Sequence, residues 1–144
     1  MELKQFFIVG NILDTPRSLQ QLFHVIVSNA LPEANKHNTR IVNEVNEEMK
    51  LDASLDKVAE ILNKLLNVIV SNSKDVDIHI SVDRYSGVVT VQIEERNNYN
   101  GYALSSSINS LVPDAIEIGG YISIKDPRQK IATVSFSFPQ KLVA

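Results

Sequence analysis

The sequence predicts an α+β fold, a two-layer α/β sandwich in which helices cover one face of a mixed, largely antiparallel sheet. Three observations predict it. Leu55, Val58, Ala59, Leu62, Leu65, Leu66 and Ile69 recur at the i, i+3, i+4 spacing of a helix with one buried stripe. Val76, Ile78, Ile80 and Val82 alternate with Asp77, His79, Ser81 and Asp83, the pattern of a half-buried strand. The complete order reads β, α, β, α, β, β, α, β, β, and helices grouped against such a sheet pack as a second layer.

Each element follows from its own residues. KQFFIVGNIL reads as an opening strand within residues 1–14 at a sheet edge, where it either docks onto the domain's own sheet or invites pairing with another chain. Thr15 offers an N-cap and Pro16 suits the first helical position, where a missing N–H costs nothing. The helix that follows places Leu19, Leu22, Phe23, Ile26, Ala30 and Leu31 on one face, and Pro32 should kink or restart it. Arg40 to Val45 alternates as a strand, and Met49 to Leu51 forms a shorter extended piece. Asp52 and Ser54 offer caps for the helix running to Asn72.

Val89, Val91 and Ile93 return from a turn at Tyr85-Ser86-Gly87, making a hairpin with the strand that holds Val76 to Val82. Ala103 to Ile118 reads as a helix with Leu104, Ile108, Leu111, Ala115 and Ile118 inward, bent or shortened at Pro113. Gly119-Gly120 ends it, because the left-handed position after a helix favours glycine. Tyr121 to Lys125 and Ile131 to Phe138 are two further strands around a DPRQ turn.

Composition narrows the function. With 144 residues, 44% hydrophobic and 22% charged, the chain is expected to be one domain over 1–144. It has no cysteine, which excludes disulfides and thiolate metal sites. A net charge of −3 with scattered basic residues argues against nucleic-acid binding. No apolar run approaches the ~20 residues of a membrane span, and MELKQFF lacks a signal-peptide layout, so a cytoplasmic location is expected.

His24, His37 and His79 have no partners at metal-ligand spacing and read as surface or satisfied side chains. Glu47-Glu48 and Glu94-Glu95 are adjacent in extended chain and point apart, which spoils them as an acid–base pair. Ser105-Ser106-Ser107 lacks an activating base nearby and reads as a serine-rich helix start. Asn63 and Asn67 stand one turn apart on the flank of the strongest helix. On spacing alone these read first as amides on a solvated edge, and second as part of a helix that binds nucleotide and magnesium.

The order of elements, with four local patterns, resembles the ATP-binding domain of sensor histidine kinases, the Bergerat fold of the GHKL superfamily. The resemblance covers roughly Ser18 to Pro139. Asn63-Lys-Leu-Leu-Asn67 resembles the N box, whose second asparagine holds the magnesium that bridges the ATP phosphates. Gly101-Tyr-Ala-Leu-Ser105 is similar to the glycine box GLGLS, and Gly119-Gly120-Tyr-Ile-Ser to the paired glycine and strand after it. VSFSFP resembles the closing strand. The resemblance implies that, with ATP bound, Asn63, Asn67, Glu95, Asn97 and Gly101 would form the nucleotide site and Asn67 would hold the magnesium.

The departures are as specific. Strand parity places Glu95 where the family has the aspartate that accepts the adenine amino group, and Asn97 and Tyr99 where it has two glycines. Asn97 tolerates a left-handed backbone, whereas Tyr99 does so only at a cost. Residues 96–100 leave no length for the family's lid, and Ala103 replaces the second glycine of GLGLS. Lys130-Ile-Ala stands where a glycine usually precedes the last strand. The expectation is a fold kept while its pocket has been filled: a non-catalytic signalling module that binds a partner protein, or itself through the opening strand, and needs no cofactor. The alternative is a working ATP- and magnesium-binding kinase domain of a two-component or anti-sigma type.

Overall fold

The structure, a computed structural model, describes residues 18–45, 55–96, 101–125 and 131–139. The expected opening strand, the extended piece at 49–51, the caps Asp52 and Ser54, and the DPRQ turn lie outside the described residues. So do Asn97, Tyr99 and the side chains of Leu55, Ala103 and Leu104.

Helix α1 spans Leu19–Lys36 and is capped by Ser18, whose Oγ accepts the Gln21 N–H at 3.2 Å. The cap is therefore Ser18 rather than Thr15, in the Ser-x-x-Gln spacing of a capping box. Leu19, Leu22, Phe23, Ile26, Ala30 and Ala34 are buried. Pro32 lies inside the helix without dividing it. Leu31, expected inward, is exposed, because the buried stripe continues from Ile26 through Ala30 to Ala34 and turns Leu31 away.

Strand β1, Arg40–Asn43, runs parallel to β2, Asp77–Tyr85. Helix α2, Leu55–Ser71, connects them. It buries Val58, Ala59, Ile61, Leu62, Leu65, Leu66, Ile69 and Val70, a wider face than the minimal stripe. Its end is finished by polar side chains that turn back on the last carbonyls: Asn72 Nδ2 donates to Val68 O at 2.8 Å and Ser73 Oγ lies 2.6 Å from Ile69 O.

Strand β3, Val88–Arg96, returns antiparallel to β2 across a two-residue turn. Ser86 and Gly87 both have positive φ, 52° and 77°, the mirror-image geometry that matches the twist of a hairpin. Helix α3 spans Gly101–Ile108, a 3₁₀ turn follows at Asn109–Leu111, and α4 spans Val112–Glu117. The single helix expected from Ala103 is thus broken, with Pro113 in the first turn of its second piece. Ser105-Ser106-Ser107 falls in the second half of α3, not at its start.

Strands β4, Tyr121–Lys125, and β5, Ile131–Pro139, complete a five-stranded sheet of order β1-β2-β3-β5-β4, antiparallel except at β1–β2. Ile78, Ile80, Val91, Ile93, Val134, Phe136 and Ile122 face the helices and share one core with α1 and α2.

The joint between α4 and β4 is tightly specified. Gly120 N–H donates to Ala115 O at 2.8 Å and Gly119 N–H to Ile116 O at 2.9 Å, the paired bonds of a Schellman cap, with Gly119 at φ 81°. A Cβ on Gly120 would meet Ser137 O at 2.3 Å, backbone that cannot swing aside. Gly120→Ala should therefore lower stability in urea by about 1–3 kcal/mol through overpacking. Ala at the open turn position Gly87 should cost only the ~1–2 kcal/mol of its left-handed backbone. A Gly120→Ala variant as stable as the parent would reject the close approach.

Candidate functional site

Two amides on α2, a carboxylate on β3 and the start of α3 carry the expected nucleotide site. Asn63 is half-buried and Asn67 exposed, one turn apart on α2. Neither amide makes a hydrogen bond among the described residues. Gly101 begins α3, which packs against α2.

Glu95 sits at the end of β3. Because β3 buries Val89, Val91 and Ile93, the next residue of that parity also turns inward, and Glu95 is 1% exposed. Its neighbour Glu94 points to the opposite face, where Arg96 Nε donates to Oε1 at 2.8 Å. A buried carboxylate needs donors. Ser73, just beyond the end of α2, supplies one: its Oγ–H lies between Ile69 O and Glu95 Oε2. Ser73 is itself buried. This contact ties the end of β3 to the end of α2.

Ser73 is the residue that sequence reasoning missed. It stands in a polar SNS segment whose obvious role is to end a helix, and no spacing rule links it to a residue 22 positions later. The structure thus brings Glu95 to α2 through Ser73. It does not join Glu95 to either asparagine by a hydrogen bond. Ser73 follows Asn67 by six residues, about 9 Å along a helix axis.

The histidines occupy separate places. His24 is exposed. His37 bridges Ser73 O and Glu33 Oε2 at 2.9 and 3.0 Å. His79 lies on the outer sheet face 3.6 Å from Glu44. Among the described residues no group of three His, Cys, Asp or Glu is placed to hold a metal ion, and no helix is long and apolar enough to cross a membrane.

No protein-family model and no curated protein matches the sequence. Solved structures do match. A histidine kinase from Burkholderia phymatum superposes with a TM-score of 0.72 at 12% identity, over 96% of this chain and 74% of that one. Full-length ShkA in complex with AMPPNP gives 0.72 at 15% identity, over 90% of this chain and 32% of that one. The histidine kinase ThkA in complex with the response regulator protein TrrA gives 0.66 at 18% identity, over 97% of this chain and 48% of that one. At these identities the likeness speaks for shape. The chain has the fold of histidine kinase catalytic domains, with a mostly antiparallel five-stranded sheet.

Proposed function

We propose that this chain is a signalling module of the histidine-kinase-like fold that acts through protein contacts, with weak or no nucleotide binding. The observation that carries the reading is the burial of Glu95 against Ser73. A carboxylate that reads adenine has to offer its oxygen to the base. Here the carboxyl is 1% exposed and Oε2 accepts from Ser73 within the chain, so a base amino group could reach only its remaining lone pairs, and only after the side chain is uncovered. The five residues 96–100 support the same reading, being too few to cover a triphosphate and exclude water.

A protein partner in a signalling pathway fits this reading, as ThkA is found with a response regulator protein. The cytoplasm is the compartment we assign to it. The segment 1–14 is a surface for a partner or a second copy. Deleting residues 1–13 should shift the elution volume in size-exclusion chromatography, and an unchanged assembly state rejects that surface.

A second reading has its own observation. The free amides of Asn63 and Asn67, with Asn67 exposed, are available to ligate magnesium and phosphate, with Glu95 at the base and Gly101 beside the phosphates. Titration with magnesium and ATP separates the two. A ligand at a hundred times its Kd adds about 2.7 kcal/mol of stability. The interaction module predicts no thermal shift at millimolar ATP. A shift that Asn67→Ala abolishes would establish the nucleotide-binding reading instead.

The Ser73–Glu95 contact has a separate test. Ser73→Ala should cost about 1–3 kcal/mol in urea unfolding by leaving a buried carboxylate short of a donor. In a Glu95→Leu background the cost should fall well below that. Equal costs in both backgrounds would show that Ser73 does not hold Glu95.

A further inference from the structure

The β1 strand lies at an end of the sheet, and its free edge matches itself. Arg40 N–H donates to Val76 O at 3.0 Å and Glu44 N–H to Ile80 O at 2.9 Å. The even-numbered residues therefore direct their backbone groups at β2. Ile41 and Asn43 direct theirs the other way, and no strand among the described residues pairs there. Beside this edge lies a cavity of about 290 Å³, lined by Leu31, Asn35, Asn38, Thr39, Arg40 and Ile41. Leu31, 41% exposed, is the apolar residue that α1 leaves uncovered over it.

We infer that the β1 edge pairs antiparallel with the β1 edge of a second copy, joining two five-stranded sheets into one. Three registers satisfy the backbone parity, and the charges select one of them. With Val42 opposite Val42 of the second copy, Ile41 faces Asn43 of that copy, and these two pairs exchange four main-chain hydrogen bonds. The same register sets Arg40 opposite Glu44, twice by symmetry. Arg40, Val42 and Glu44 share the outer sheet face, and the two charged side chains are 70% and 54% exposed. Shifting by two residues in either direction loses both opposite-charge pairs.

Arg40 already donates from Nε and Nη2 to Asp77, which holds its guanidinium in place and leaves Nη1 for the new carboxylate. The two-fold axis stands perpendicular to the sheet, so both helix layers lie on one side. The two Leu31 side chains then approach each other across the cavities. The partner this surface fits is another copy of this chain, because an isologous contact needs an edge complementary to itself. The pairing leaves α2, α3 and the Glu95 region free, so it stands independently of the reading above.

Charge reversal on the full chain tests it. Sedimentation velocity of the parent should show a dimer that forms with increasing concentration. Arg40→Glu and Glu44→Arg should each be monomeric, since each sets like charges opposite one another. An equimolar mixture of the two should recover the dimer, because Glu at 40 then meets Arg at 44 and Arg at 40 meets Glu at 44. Unchanged circular dichroism would show that the single variants remain folded. Amide exchange at Ile41 and Asn43 should slow as the parent is concentrated. A parent that stays monomeric, a dimer that survives both single reversals, or a mixture that remains monomeric would each overturn the inference.

Discussion

A strand cannot choose which of its residues face inward once its neighbours are fixed, and that constraint governs the middle of this molecule. Val89, Val91 and Ile93 anchor β3 in the core, and parity then carries Glu95 in behind them. Desolvating a carboxylate is costly unless it is hydrogen-bonded. The chain answers with the Ser73 hydroxyl, which also finishes the last turn of α2. The register of the hairpin, the end of the central helix and the chemistry of the candidate site are thus a single arrangement. Moving any one of them would take the Ser73 donor from the carboxylate.

The helix layer transmits the same constraint outward. α1 packs on both α2 and β1, and the imidazole of His37 closes onto the Ser73 carbonyl. The residue that holds Glu95 by its side chain is therefore held by its backbone from another element. At the opposite side of the sheet, α4 and β4 are joined through two glycines with no space for a side chain at the second. Among the described residues, the outer edges of β1 and β4 and the two amides of α2 are left open.

Much of the fold was legible because it rests on periodicity. The stripe from Val58 to Ile69, the alternation from Val76 to Ile93 and the glycine pair after α4 each name their element through spacing or backbone conformation alone. Leu31 was misread because a helical face is about 100° wide and a residue at its border goes either way, decided here by Ala34. Ser18 took the cap in place of Thr15 because two capping residues lie within three positions of each other. In the site, parity correctly turned Glu95 inward. Its partner was not legible, because Ser73 reaches it through the tertiary packing of two elements, and no local pattern records that.

The joint at Gly119-Gly120 bears on inheritance. A side chain can be exchanged one at a time while the backbone stays where it is. A position whose missing Cβ lies against the carbonyl of Ser137 has no such freedom. A change at Gly120 has to move a strand before it can be accommodated. Descendants of this chain should come to differ in nearly every letter and still close the same corner in the same way.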